Sequence, residues 1–310
     1  MSLLILGSVA LDTIETERGK ATECLGGSAT HAALAASYFV KPRLVGVVGD
    51  DFPAEYRQFL AERIDLSELA VYSGKTFRWD GYHSLETGRT ITRATHLNTY
   101  EHFRPRLSPT GAAAPYIFLG NIDPELQLSV LDQLASPRCV ACDTMSLWIS
   151  LNPEKVLAVM RRADLFFLNE QEAFELTHKE RVIEAGQRLL DWGAQRVIIK
   201  CGGQGVWIFD RKAAASGGPR HVPAVPDVDL VDPTGAGDSF AGALMGYLAR
   251  LGTTPDETDA LLQAAYTGAA VASHTIEAFG ADAHRTLSHE RIFERVRLLA
   301  GSEPERRQIV

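Results

Sequence analysis

Residues 231–252 read VDPTGAGDSFAGALMGYLARLG: a proline turn, two glycines, an acid, then a long apolar periodicity. From Phe240, the apolar positions Ala243, Leu244, Tyr247, Leu248 and Leu251 recur three and four residues apart, which is one face of a helix. Gly252 ends the run. The spacing predicts a helix that begins near residues 235–238. Its first N–H groups lack intrahelical acceptors and carry the positive end of the helix dipole. Gly235, Ala236 and Gly237 have little or no side chain, so an anion can come close to those N–H groups. Such a mouth suits a phosphate. Asp238 then has two readings. It caps the helix and favours its dipole, or it is a general base that takes a proton from an attacking hydroxyl while the amides hold the transferring phosphoryl. Residue types alone leave both open.

Such a mouth needs a scaffold, and the rest of the chain supplies one. Apolar runs at 3–9, 43–48, 116–119, 138–142, 164–168, 196–200 and 205–209 read as strands. Most are continuously apolar, as strands covered on both faces are. Helical periodicity falls between them, at 28–39, 53–63, 124–134, 153–161, 170–177 and 181–191. The alternation predicts an α/β fold: a three-layer, doubly wound, mostly parallel sheet. Residues 75–97 break the rhythm. Two β-rich runs flank Glu86-Thr87-Gly88, a hairpin signal. The expected organisation is an α/β domain from 1–74 and 98–310, with 75–97 inserted as a small β lid. The tail GSEPERRQIV is polar and reads as frayed.

Composition narrows the function. The 310 residues, 45% of them hydrophobic, suffice for one large domain. A formal net charge of −8 with no basic run argues against nucleic acid as a partner. No apolar run is long enough for a membrane span. The start, MSLLILGSVALD, lacks a basic n-region and reads as a first strand. Cys139 and Cys142 form a CxxC, but no second such pair or His pair is near. With Cys24 and Cys201 they read as reduced thiols of a cytoplasmic protein. There is no GxxxxGK[ST], which excludes a P-loop kinase, and no GxGxxG follows the first strand, which argues against a dinucleotide-dependent oxidoreductase.

The full string DPTGAGDSF, at a loop-to-helix junction late in an α/β chain, resembles the signature of the ribokinase-like (PfkB) carbohydrate kinases. Other segments resemble the family in the same order. Asp12, after the first strand, matches an acid that binds sugar hydroxyls. Gly26 and Gly27 match a paired-glycine turn at the substrate. VGVVGDDF at 45–52 is similar to a first signature region. Asn169 and Glu172 form the N-x-x-E that organises Mg²⁺ and its waters. KCGGQGVWIF, with Lys200, Gly202 and Gly205, resembles the glycine turn at the nucleotide. Asp232 and Thr234 match positions that help bind a monovalent cation such as K⁺. The resemblance implies an ATP-dependent kinase with Asp238 as base, Gly235, Ala236 and Gly237 as anion hole, and the 75–97 hairpin as lid. A homodimer through the lid, as in relatives, remains open.

The departures bear on the acceptor. His31 stands where the family often has Asn. DTMSLW at 143–148 replaces D-x-N-x-R, so Met145 and Leu147 take the places of polar residues that face substrate in relatives. ASHTIEAFG at 272–280 resembles a run of adenosine-kinase-like members. A small sugar is the first expectation for the acceptor and a nucleoside the alternative, since a flat aromatic of the lid can stack on a base. A phosphosugar would need a basic site, for which Arg93, Arg104 and Arg106 are the candidates. His31 and Met145 also leave open a catalytically silent binder of sugar or nucleotide.

Overall fold

The computed structural model describes residues 1–212 and 218–301; all of the tail beyond Gly301 lies outside the described residues. Continuous apolar strands need cover on both faces, and they receive it. Strand β1 (Leu3–Leu6) sends Leu3 and Ile5 into one core and Leu4 and Leu6 into another. The strands that follow are β2 (Ala10–Thr16), β3 (Gly19–Gly26), β4 (Arg43–Gly49), β5 (Asp65–Tyr72), β6 (Phe77–His83) and β7 (Thr90–His96). Then come β8 (Tyr116–Leu119), β9 (Cys139–Asp143), β10 (Leu165–Asn169), β11 (Arg196–Lys200), β12 (Val206–Asp210) and β13 (Arg220–Val222). The large sheet runs β13-β12-β11-β10-β9-β8-β1-β4-β5. It is parallel except for β12, which is antiparallel to both its neighbours.

The first core is closed by α1 (Ser28–Ala36) and α2 (Ala54–Ala61) and by three helices from the last third of the chain, described below. After the short α3 (Pro109–Ala112), the second core is closed by α4 (Pro124–Leu131), α5 (Ser146–Leu151), α6 (Pro153–Arg162), α7 (Glu170–Thr177) and α8 (Val182–Asp191). The three late helices are α9 (Ala236–Leu251), α10 (Thr258–Thr275) and α11 (His289–Gly301). The expected three-layer α/β fold is therefore present. Cys139 faces the first core and Cys142 the second, so the CxxC cannot act as one thiol pair. No helix among the described residues is long and apolar enough to cross a membrane.

The hairpin expected at 75–97 is present as β6 and β7, and it is half of a separate four-stranded sheet, β3-β2-β6-β7. The other half comes from residues 10–26, which sequence periodicity left without strands; the run assigned to 3–9 ends at Leu6. The reason is physical. One face of this sheet meets water, and strands such as β3 (GKATECLG) carry polar exposed residues instead of a continuous apolar run. Edge strand β5 was missed for the same reason.

Two features aim the site. β9, β10 and β11 are neighbours and end at Asp143, Asn169 and Lys200, so three polar side chains share the carboxyl rim where open α/β sheets bind ligands. Helix α9 also packs tightly on α1: a Cβ on Gly242 would overlap the backbone of Ala32. That contact brings the mouth of α9 to the start of α1.

Candidate active site

The helix predicted from residues 235–238 starts there. Gly235 is its N-cap in the left-handed region (φ 74°), and a Cβ at this position would overlap the His31 ring. Backbone conformation and packing thus both require glycine. Ser239 N–H donates to Gly235 O (2.8 Å), while Ala236 N–H makes only a long bond to Pro233 O (3.3 Å) and Gly237 N–H finds no backbone acceptor. These are the amides an anion can use. Asp238 sits in the first turn, and its Oδ1 is buried without a partner among the described residues. Burial, then the charge of Asp143, pushes its carboxyl up to about 7 against the pull of Lys200.

The strand ends carry a charged cluster next to this mouth. Lys200 Nζ donates to Asp143 Oδ2 at 2.6 Å. The ammonium also lies 3.0 Å from where a Gly237 Cβ would stand. Burial disfavours the Lys200 charge, but Asp143, Glu172 and Asp238 outweigh it and raise its pKa. Asn169 and Glu172 form a reciprocal capping box on α7: Asn169 Oδ1 accepts from Glu172 N–H (2.8 Å) and Glu172 Oε2 accepts from Asn169 N–H (2.7 Å). Burial pushes Glu172 up to about 7, with Lys200 opposing. Asp143 is the member that the sequence analysis did not single out. Its signal was an acid closing an otherwise apolar strand.

Across from α9 lies one face of the small sheet. Asp12 on β2 is 4% exposed, its Oδ1 has no partner among the described residues, and burial with the nearby Asp232 charge pushes it up to about 7. Gly26 leaves the room its carboxylate fills, since a Cβ there would overlap it. Gly27 is the N-cap of α1. Asp12 pairs in register with Trp79 on β6, so the two side chains share a face. Trp79 lies over Gly81, donates to Thr92 Oγ1 (3.2 Å) and stands 5.5 Å from the His83 ring. His83 Nε2 meets Thr234 Oγ1 at 2.9 Å and Nδ1 meets Thr90 Oγ1 at 2.8 Å, tying the small sheet to the loop before α9. Asp232 is fully buried; its two oxygens accept from Thr234 N–H and Gly280 N–H, both at 2.9 Å.

The remaining candidates sort by position. His31 is buried beneath Gly235 with both ring nitrogens unpartnered among the described residues, and burial lowers it to about 4, so it is neutral. It supports the loop from below. Gly202 is exposed at the β11–β12 turn, whereas Gly205 packs against Val222 and Pro223. Met145 is half-buried and Leu147 exposed at the start of α5. Of the three candidate arginines, two are tied to neighbours and Arg106 is exposed. Arg93 pairs with Glu15 (2.7 Å) and Arg104 donates to the carbonyls of Glu101 and Phe103.

Comparison with known proteins shows the family and the fold. A family profile described as pfkB family carbohydrate kinase matches residues 2–286. A cytidine kinase of Thermococcus kodakarensis is 31% identical over 266 residues, covering 80% of this chain and 88% of the relative. The fold is similar to that of a Burkholderia thailandensis nucleoside kinase in complex with inosine (TM-score 0.77, 20% identity, 97% of this chain and 100% of that one). It is also similar to a Cryptococcus neoformans ribokinase in complex with ADP (TM-score 0.77, 18% identity, 94% and 99%).

Proposed function

Because this chain belongs to the pfkB family of carbohydrate kinases, and is thus an ATP-dependent sugar or nucleoside kinase, we propose that its acceptor is a nucleoside. Trp79 carries this reading. It shares a face with Asp12, on the side of the small sheet that reaches Thr234 through His83. An acid beside an indole suits a ribose hydroxyl beside a base, since an indole face can stack on a base and a plain sugar offers it nothing flat. The cytidine kinase relative supports the same choice. The ties of Arg93 and Arg104 make a phosphosugar the less favoured acceptor.

In the proposed reaction, Asp12 Oδ1 accepts a hydrogen bond from a ribose hydroxyl and orients the acceptor. Asp238 takes the proton of the primary hydroxyl as its oxygen bonds to the γ-phosphorus. The bond from that phosphorus to the β,γ-bridging oxygen breaks, and its electron pair stays on ADP. The amides of Gly235, Ala236 and Gly237 face the charge on the moving phosphoryl. A carboxyl poised near 7 suits a base at neutral pH. The exposed turn at Gly202 borders the nucleotide, beside Lys200.

Mg²⁺, when bound, neutralises phosphate charge. Glu172 Oε1 meets no protein donor among the described residues and suits a water of that ion. Among those residues no three acids, histidines or cysteines form a metal cage. Asp232, buried and without a basic side-chain partner among the described residues, fits a monovalent cation at the loop with Thr234.

The test is ADP release with ATP and Mg²⁺ over a panel of cytidine, uridine, adenosine, inosine and ribose, with Trp79→Ala alongside. A nucleoside should give the highest kcat/KM, and Trp79→Ala should raise its KM by about tenfold, the scale of one lost stacking contact. Ribose as the preferred substrate, unaffected by Trp79→Ala, would replace this reading with a sugar kinase.

A further inference from the structure

We infer that Asp143 is a positioning residue for phosphoryl transfer, fixing the Lys200 ammonium at the Gly237 end of the anion hole. The inference rests on the assignment of Gly235, Ala236 and Gly237 as the phosphoryl-binding amides. Lys200 leaves the end of β11, crosses the end of β10 and meets Asp143 at the end of β9. Neighbouring strands lie about 4.8 Å apart, so the Lys200 and Asp143 side chains together bridge two strand spacings, roughly 10 Å of the rim. A lysine is a point charge on a flexible stem and needs a fixed anchor to hold one place.

Asp143 is built as that anchor. It is 3% exposed, and its Oδ1 accepts from Thr144 N–H at 2.9 Å. Its carbonyl is pinned by buried Gln127, whose Nε2 donates to Asp143 O (2.8 Å) and to Gly120 O (2.9 Å). The carboxylate thus cannot swing away, and Oδ2 is left for Lys200. The ammonium it holds comes within 3.0 Å of the Gly237 Cβ position, beside an amide without a backbone acceptor. A buried ion pair adds little to stability for its desolvation cost. One that sets a cation at the transferring group adds to the rate, because the charge is already in place when the phosphoryl moves. Lys200 keeps its proton throughout, and no bond to Asp143 forms or breaks.

A double-mutant cycle with the full chain tests this. Lys200→Met should lower kcat by about a hundredfold, the scale of one lost electrostatic contact to a developing charge. Asp143→Asn keeps the shape and the Thr144 acceptor and removes the charge; kcat should fall by about tenfold to a hundredfold with acceptor KM nearly unchanged. Compared above about pH 8, where Asp238 is ionised and the direct push of Asp143 on its pKa no longer sets its protonation, the combined variant should be no slower than Lys200→Met, since Asp143 then acts through Lys200. Unchanged kcat in either single variant, or a further drop of about tenfold in the double, overturns the inference. The double-against-Lys200→Met comparison decides the matter even where Asp143→Asn alone leaves a buried cation unpaired and does not fold. Turnover of Asp238→Asn is read separately, so failure of the base assignment is distinguishable from failure here.

Discussion

Asp238 is the residue where function and stability oppose each other. Its carboxyl has no partner on Oδ1 and is held near 7, well above an ordinary aspartate. In the proposed role of base it must be ionised, so kcat/KM should fall as pH drops below about 7. Asp238→Asn should cut turnover by about a hundredfold or more while ATP still binds, as isothermal titration against steady-state kinetics would read. Near-normal turnover would remove Asp238 from the base role. The same residue costs stability. Its folded pKa is raised from 3.8 to about 7, so the native state holds the proton more tightly than the unfolded chain. Stability therefore falls as pH rises from about 4 to about 7 and then levels off. Asp238→Asn should melt higher than the natural chain at pH 8, and the gap should close near pH 4. A variant that melts lower at pH 8 would contradict the burial argument.

At the scale of elements, the arrangement depends on joining the small sheet to the loop before α9. His83 does this, with one ring nitrogen on Thr90 and the other on Thr234. Burial lowers its pKa, so near neutrality the ring is uncharged, one nitrogen donating and the other accepting. Losing one such hydrogen bond costs about 0.5–1.5 kcal/mol, or roughly 2- to 12-fold. His83→Ala should raise acceptor KM by that factor and change kcat less, because the Gly235–Gly237 amides lie at the mouth of α9 and not in the small sheet. An equal fall in kcat with unchanged KM would show that the latch acts on chemistry instead.

At the scale of the molecule, the site is assembled from both sheets and from helices far apart in the chain. Ligands that bridge these parts should stabilise the whole fold by mass action. A preferred nucleoside at a hundred times its Kd should add about 2.7 kcal/mol, seen as a rise in Tm that ribose at equal concentration does not give. Replacing K⁺ with a bulky ammonium cation should lower turnover if the Asp232–Thr234 site is occupied in the working enzyme. Equal rates in both salts would leave Asp232 a purely structural tie between the loop and Gly280.

Local rules governed what the sequence determined. The helix at Phe240–Leu251, its glycine mouth and Asp238 follow from periodicity and from the chemistry of helix ends, and the continuous apolar strands follow from burial on both faces. The capping box at Asn169 and Glu172 is likewise local. Three things were settled only by tertiary structure, because each depends on residues far apart in the chain. The small sheet recruits β2 and β3, polar strands whose pairing partners no periodicity reveals. His31, a departure in a pattern, turns out to fill the space beneath Gly235, which depends on α1 packing on α9. Asp143 meets Lys200 because strand order sets β9 two places from β11, and sequence spacing carries no record of strand order.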